Sequence, residues 1–282
     1  QIGKWVMDEP LVKQLGEHTL TIESFVYDSS AAVMYYTLGR KGGVTALRGD
    51  EDTNMAKGAV FTEEADFRFD VQCGMPEDEN FIFTGENTYV DMEKSTNELL
   101  YCTSYMLWSD NLKAGDIPKL VITKYPDKLK EIEKLLPDVN GLSKEEMKDE
   151  SLWKEYNEAM AKAGTEIIDL SGKGQVPDKT IDMGENGCLV YSPISIRVDM
   201  SKGMGLSEDE AQDPYYMKHM EIKYKDGSSY VVSDSEELIE NSGYVLGLTG
   251  GVGAWYKTVF NRLVDTDEIA EIIVNDVSFQ VE

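Results

Sequence analysis

The chain has 282 residues, and its 27 lysine and arginine residues against 53 aspartate and glutamate residues give a formal net charge of −26. A surface this acidic repels phosphate polyanions, which excludes nucleic-acid binding by charge neutralisation and disfavours docking of the bare chain on an anionic membrane. Hydrophobic residues make up 41% of the chain, enough to build a core, so wholesale disorder is excluded.

The first part of the chain has the two-residue period of β-strands. Residues 19–27 and 31–38 alternate their side chains on either side of a Ser29-Ser30 turn, which predicts a hairpin. Residues 98–108 are apolar on both faces, which predicts a central strand. Shorter strands are predicted at residues 67–71, 80–84 and 119–125. Together these segments predict an antiparallel β-sandwich over residues 1–125.

The middle of the chain, residues 126–164, has helical spacing instead. Apolar residues recur at helical intervals between Pro126 and Pro137, which predicts a first helix. Ser143 and Glu146 have the spacing of a capping box, and an apolar stripe follows it, which predicts a second helix that stops at Gly164. The pair forms either a linker between two β units or an insertion on the edge of one.

Strand character returns in residues 165–282. Strands are predicted at 165–170, at 188–200 with an interruption at Pro193, around 256–260 after a glycine-rich loop, and as one closing strand at 269–281. Asp226-Gly227 between two alternating runs at 221–232 predicts a hairpin with a type I′ turn. The predicted fold is therefore mainly β, with two antiparallel β-sandwich (Ig-like) units and a two-helix connecting or inserted segment.

The motifs of catalysis are missing from the sequence. It contains no Gly-x-Ser-x-Gly elbow and no His-Glu-x-x-His, and only His18 and His219 offer an imidazole base. The glycine-rich segment at 250–253 completes neither a Walker loop nor a dinucleotide fingerprint. We therefore predict that the chain is not an enzyme and that it has no catalytic and no cofactor-binding residue.

Metal sites and disulfides gain little support either. Asp50, Asp52 and Asn54 place oxygen ligands at alternate positions, and residues 207–213 form a second acidic cluster, so weak Ca²⁺ binding is kept as a hypothesis. Neither cluster completes an EF-hand, and we predict no metal site. Cys73, Cys102 and Cys188 allow three pairings that spacing does not separate.

Five segments of strand and turn residues are informative when taken together. They are Leu20-Thr-Ile-Glu-Ser-Phe-Val-Tyr-Asp28, Val33-Met-Tyr-Tyr-Thr-Leu38, Tyr191-Ser-Pro-Ile-Ser-Ile196, Ile222-Lys-Tyr-Lys-Asp-Gly227 and Asp267-Glu-Ile-Ala-Glu-Ile-Ile-Val-Asn275. These segments resemble the extracytoplasmic region of membrane-anchored, anti-sigma-factor-like proteins of Gram-positive bacteria, which carry domains of unknown function. In such proteins a cytoplasmic segment and one spanning helix precede the ectodomain.

The resemblance implies a non-catalytic extracytoplasmic sensor or interaction module, at the cell surface and tethered to the plasma membrane. Its partner would be a protein or a cell-wall ligand rather than a nucleic acid. No apolar stretch of the chain approaches the roughly 20 residues that cross a bilayer, so the anchor is expected before Gln1.

A second interpretation is a secreted carbohydrate- or peptide-binding lipoprotein, with a hydrolase as a lesser alternative. Exposed tyrosine and tryptophan rings would favour sugar binding, and a cleft with paired carboxylates would favour hydrolysis. The residues to inspect first are Trp5, Trp108, Trp153 and Trp255. Core packing is the simpler expectation for aromatic residues at alternating strand positions.

Overall fold

A computed structural model of the chain describes residues 9–44, 67–73, 84–91, 93–108, 111–112, 116, 118–124, 132, 134–138, 141, 143, 149–161, 165–170, 174–182, 188–199, 219–234, 244–250, 255–275 and 277–281. Within these residues the chain forms seventeen strands and one α-helix. The prediction of a mainly β fold is therefore confirmed.

In chain order the strands are β1 (Leu11–Leu15), β2 (His18–Tyr27), β3 (Ala31–Gly39), β4 (Phe67–Cys73), β5 (Thr84–Val90), β6 (Leu99–Trp108), β7 (Pro118–Lys124), β8 (Thr165–Asp169), β9 (Lys179–Asp182), β10 (Cys188–Tyr191), β11 (Ser195–Asp199), β12 (His219–Tyr224), β13 (Ser229–Asp234), β14 (Tyr244–Gly250), β15 (Trp255–Phe260), β16 (Ile269–Val274) and β17 (Val277–Gln280). We call β1–β8 the first half and β9–β17 the second half.

The first sheet has the order β1-β2-β3-β6-β5. Strands β2 and β3 form the predicted hairpin, and β6 is central as predicted, since it pairs with β3 on one side and with β5 on the other. The even-numbered apolar residues of β3 and β6 lie in the first core, and the odd-numbered residues point to the opposite face because side chains alternate along a strand. We call that opposite face the outer face.

The first half contains a second, three-stranded sheet that packs against the first sheet. This sheet has the order β4-β7-β8, and Leu120, Ile122 and Ile168 from it share one core with the inward residues of β2, β3 and β6. Although residues 165–282 are predicted as a second unit, their first strand, β8, pairs with β7 of the first half. The division of the chain into three segments stays a prediction.

The second half also has two sheets, in the orders β14-β15-β11-β10-β9 and β13-β12-β16-β17. Residues from both sheets meet in one core, among them Leu189, Ile196, Ile222 and Ile272. Two sheets with facing apolar sides around a shared core give a sandwich-like layering in each half.

One sequence prediction in the strands needs correction. The closing segment is not one strand but a hairpin, because Asn275 adopts a left-handed conformation (φ 51°) between β16 and β17. Asparagine tolerates this conformation better than other non-glycine residues, so it reverses the chain here. The strand predicted at 80–84 lies outside the described residues except for Thr84, where β5 begins.

The turn between β12 and β13 also differs from its prediction. A type I′ turn needs positive φ at both central residues, but Gly227 (φ 84°) has it and Asp226 does not. Gly227 N donates to Tyr224 O (3.0 Å) and Tyr224 N donates to Ser228 O (2.9 Å), the pattern of a type I turn followed by a glycine bulge. The Asp226 side chain holds this turn by accepting a hydrogen bond from Ser228 N (2.8 Å).

One of the two predicted helices is described. Helix α1 (Glu150–Ala161) corresponds to the second prediction, and Asp149 begins it by accepting a hydrogen bond from Ser151 N (2.9 Å). The first predicted helix lies mostly outside the described residues; in the part that is described, Leu135 N donates to Ile132 O (2.8 Å). The described part of the chain contains no helix long and apolar enough to cross a membrane.

A short segment between β8 and β9, residues 174–176, ties the two halves together. Tyr27 N donates to Gly174 O (3.0 Å) and Val176 N donates to Tyr27 O (2.8 Å), so the segment lies parallel to the end of β2. Gly174 has φ 64°, and a Cβ there would overlap the carbonyl oxygen of Phe25. Only glycine allows this close approach of two backbones. We call residues 174–176 the strap.

Candidate binding surface

The second half covers one end of the outer face of the first sheet. That end is a buried apolar cluster to which both halves and the strap contribute, formed by Val26, Ala31, Val33, Leu107, Val176, Ile194 and Val259. Removing such a surface from water is the main driving force for joining the halves.

The outer face also carries four tyrosines around Thr103. The strand register places Tyr35 of β3 and Tyr89 of β5 opposite Thr103, one on each side of β6. Tyr101 and Tyr105 lie two residues before and after Thr103, hence on the same face. Tyr35 is 39% exposed and Tyr101 is 38% exposed, while Tyr89 and Tyr105 are half-buried. We call these four tyrosines the tyrosine ledge.

The ledge tyrosines contact one another. The rings of Tyr89 and Tyr105 meet edge to face, with centroids 5.7 Å apart and an interplanar angle of 80°. The Tyr35 and Tyr105 hydroxyls lie close enough to influence each other's pKa. Burial raises the pKa of Tyr35, Tyr89 and Tyr105 above the usual value, so these hydroxyls stay neutral and keep their proton for donation at any physiological pH.

The second half forms a wall beside the Tyr105 end of the ledge. Tyr230 lies near enough to Tyr105 to raise the pKa of that hydroxyl further, in addition to the larger effect of burial. The Tyr230 hydroxyl donates to Asn261 Oδ1 (3.0 Å), and Arg262 Cζ lies 3.7 Å from the centre of the Tyr230 ring. The ledge and this wall form a corner at the junction of the two halves, a common location for ligand sites.

A buried carboxylate fixes the junction. Asp28, which is 1% exposed, follows β2, and its Oδ1 accepts hydrogen bonds from Ser30 N and Ala31 N, both at 2.6 Å. Its Oδ2 accepts hydrogen bonds from the hydroxyls of Ser192 and Ser195 in the second half, both at 2.5 Å. We call Asp28, Ser192 and Ser195 the aspartate clasp.

The clasp carboxyl has an unusual proton affinity. Burial, and then the negative charge of Asp178, raises the pKa of Asp28 to about 6. The hydrogen bonds from Ser192, Ser195 and Ser30 oppose this shift because they stabilise the carboxylate. Ser192 also supports the loop between β10 and β11, since its Oγ accepts hydrogen bonds from Ile194 N (2.9 Å) and Ser195 N (3.1 Å).

A buried lysine adds a second polar contact across the junction. Lys257 of β15 is 1% exposed, and its Nζ donates to Trp108 O (3.0 Å) and to Asn111 Oδ1 (3.1 Å) in the first half. The same ammonium lies 4.3 Å from the centre of the Trp255 ring. Trp108 Nε1 in turn donates to Asp28 O (3.2 Å), so the lysine contact and the aspartate clasp adjoin.

Neither histidine belongs to the ledge. His18 is buried at the start of β2. His219 begins β12, with its Nδ1 3.3 Å from Asp234 Oδ2 and its Nε2 3.6 Å from Glu221 Oε2. This group lies on the sheet that contains β12, β13 and β16, and none of its members is shared with the clasp.

The remaining residues singled out by sequence are scattered. Trp108 is fully buried in the first core, Trp153 is half-buried in α1, and Trp5 lies outside the described residues. The acidic clusters at 50–54 and 207–213 and most of the glycine-rich segment also fall outside them. Among the described residues, no group of three or more His, Cys, Asp or Glu side chains is arranged to hold a metal.

The two cysteines whose side chains the structure describes do not form a disulfide. Cys102 in the first core and Cys188 in β10 both carry free thiols, and the Cys73 side chain lies outside the described part of the chain. Burial raises the pKa of Cys102 to about 12, so its thiol stays protonated. A protonated thiol is a poor nucleophile.

Sequence reasoning missed both the ledge and the clasp. Alternation alone places Tyr101 and Tyr105 on one face, but core packing is the expectation for such residues, and the structure leaves Tyr101 more than a third exposed. The clasp residue Asp28 is separated from Ser192 and Ser195 by more than 160 positions. Nothing in the sequence indicates that they touch.

Comparisons with known proteins give little beyond this geometry. No protein-family model matches the chain, and no curated protein matches it. Among solved structures, a conserved domain protein from Bacillus anthracis is similar to this chain with 12% sequence identity and a TM-score of 0.45, over 96% of this chain and 77% of that one. These comparisons assign neither a family nor a ligand.

Proposed function

We propose that the chain is the non-catalytic, extracytoplasmic sensor or interaction module of a membrane-anchored, anti-sigma-factor-like bacterial protein. The observation that supports this proposal most is the tyrosine ledge, a partly exposed aromatic surface beside a buried junction. Tyrosine is enriched where proteins recognise partners, because its ring supplies contact area and its hydroxyl supplies directional hydrogen bonds.

The junction supports the same proposal. The aspartate clasp, Val176 of the strap and the rest of the shared apolar cluster join the halves through buried groups. The corner beside Tyr105 therefore keeps its geometry without a ligand, and a preformed surface loses less conformational entropy on binding. We also propose that each half is an Ig-like sandwich, a proposal that the shared core of its two sheets supports.

The experiment that tests this function uses the full-length protein in its own host. External protease is added to protoplasts, and transcription from a promoter of the partner sigma factor is measured in parallel. We expect the protease to reach this chain, and we expect Tyr35→Ser combined with Tyr101→Ser to alter transcription. Ile167→Ser, an exposed apolar position on β8 away from the ledge, is the matched control and should leave transcription unchanged.

Two results would contradict the proposed function. One is that external protease cleaves this chain no more than it cleaves a cytoplasmic marker protein. The other is transcription that responds equally to the ledge variant and to the Ile167→Ser control. Immunoblotting of each variant establishes that it accumulates to the level of the unsubstituted protein.

A further inference from the structure

We propose that the junction between the two halves responds to pH, closing more tightly when the buried carboxyl of Asp28 takes up a proton. The responding group is the aspartate clasp, with Asp28 in the first half and Ser192 and Ser195 in the second. This inference goes beyond the proposed function, because it concerns how the halves are held together and does not depend on where the chain is located or what it binds.

The first argument is the environment of the carboxyl group. Asp28 is 1% exposed, and hydroxyls of the second half contact its Oδ2, so closing the junction removes this carboxyl from water. Its four hydrogen-bond donors are two backbone N–H groups and two hydroxyls, all of them neutral. Neutral donors compensate a buried negative charge less than a paired cation does. Closing the junction therefore favours the uncharged form of the carboxyl.

The second argument is the charges that face the clasp. Residues 29–31 and 192–195, which supply the four donors, contain no charged side chain. The charge that acts on the Asp28 carboxyl is that of Asp178, between the strap and β9, and it is also negative. On β15, the buried ammonium of Lys257 donates instead to Trp108 O and Asn111 Oδ1. A proton on Asp28 therefore relieves a repulsion.

The third argument is that the clasp has a place for the proton. Oδ1 of Asp28 already accepts two backbone N–H groups, so the proton belongs on Oδ2, which faces both serines. Ser192 Oγ accepts hydrogen bonds from Ile194 N and Ser195 N, so it has to stay a donor to Oδ2. Ser195 Oγ accepts no hydrogen bond from the described residues, so its hydroxyl can turn and accept the Asp28 proton. Both contacts across the junction therefore survive protonation.

Proton linkage gives the direction and size of the effect. The closed junction holds the pKa of Asp28 at about 6, whereas opening returns the carboxyl to water and to its ordinary value of 3.8. The tightening is therefore present at acidic pH and is lost as the pH rises through about 6. Between pH 7 and pH 5 the ratio of closed to open junction should rise by about tenfold. The apolar cluster shared by the halves also favours closure, but it does not titrate.

The test is amide hydrogen exchange of the 282-residue chain at pH 5 and pH 7, corrected for the intrinsic exchange rate at each pH. The reporters are the N–H groups of Tyr27 and Val176, which form the backbone hydrogen bonds between β2 and the strap. The slowest amides of the chain report global unfolding. We expect the reporters to exchange faster than these slowest amides and to gain about tenfold in protection at pH 5.

Two variants and one direct titration complete the experiment. Asp28→Asn should abolish the pH dependence of the reporters. Asp226→Asn is the matched control, because Asp226 is exposed and its hydrogen bonds with Ser228 hold its pKa below the usual value. It should leave the pH dependence unchanged. Carbon-13 NMR of the Asp28 carboxyl in the unsubstituted chain should show a midpoint near pH 6, a readout that needs no variant.

Four outcomes would overturn the proposal. These are a carboxyl midpoint at the ordinary value of an aspartate, equal protection of the reporters at both pH values, and a pH dependence that persists in Asp28→Asn. The fourth is reporters that exchange as slowly as the slowest amides, because the junction would then open only when the whole chain unfolds.

Discussion

Replacing the clasp carboxylate tests whether its burial controls stability. Asp28→Asn keeps the shape of the side chain and the oxygen that accepts hydrogen bonds from Ser30 N and Ala31 N, but it removes the titration. Because the folded chain holds Asp28 with a pKa of about 6, against 3.8 for an unperturbed aspartate, the folded state binds a proton more tightly than the unfolded state. Stability contributed by this proton is therefore gained as pH falls and lost as pH rises through about 6.

The linkage relation gives the size of the effect. Between these two pKa values, Asp28 contributes about 1.4 kcal/mol to the free energy of unfolding at pH 5 and about 0.1 kcal/mol at pH 7. Relative to Asp28→Asn, the wild type should therefore gain about 1.3 kcal/mol in free energy of unfolding when the pH is lowered from 7 to 5. The other carboxylates titrate in both proteins, so their contribution cancels in this comparison.

Urea unfolding followed by tryptophan fluorescence at the two pH values measures this difference. Trp108 makes the signal sensitive to the junction, because its indole N–H donates to Asp28 O. The reasoning is refuted if the wild-type and Asp28→Asn proteins respond to pH by the same amount, or if the wild type loses stability relative to the variant at pH 5.

Two further pairs of substitutions test the clasp and the strap. Ser192→Ala removes a donor to Asp28 and also the acceptor of two backbone N–H groups, so it should lower the free energy of unfolding by about 3 kcal/mol. Ser195→Ala removes one donor to Asp28 and should lower it by about 1.5 kcal/mol. Urea unfolding that ranks the two variants in the reverse order would contradict this account. Gly174→Ala should lower the free energy of unfolding by more than about 3 kcal/mol or prevent folding, because a Cβ there overlaps the Phe25 backbone. The control is Gly227→Ala, where φ is also positive but no atom lies within 4 Å of the added Cβ, and it should cost about 1 kcal/mol in thermal unfolding. Equal costs for the two variants would show that backbone crowding at the strap is unimportant.

Local patterns predicted the elements that depend on local chemistry. The hairpin of β2 and β3 and the central position of β6 follow from alternation and from a strand that is apolar on both faces. Strand β5 is different, because Gly85, Glu86 and Asn87 within it are residue types that strands disfavour. It pairs with β6 through long-range context that no window of sequence displays.

The junction depends on contacts that sequence order hides. Ser192 and Ser195 lie 164 and 167 residues after Asp28, and serine and aspartate at strand ends indicate no more than turns. The ledge could not be predicted for a different reason. Alternation shows that Tyr101 and Tyr105 share a face, but Tyr35 and Tyr89 join that face only through the register between strands. Register across a sheet is not determined by the composition of any one strand.

The positions of β8 and the strap affect how the chain folds during synthesis. The ribosome releases residues in order, and the first core lacks Ile168 and Leu170 until the nascent chain has passed them. A fragment ending near residue 125 would leave β7 without its β8 neighbour and Tyr27 without its backbone partners in the strap. Such a fragment would expose apolar surface and an unpaired edge, and aggregation during synthesis is the characteristic failure of that state.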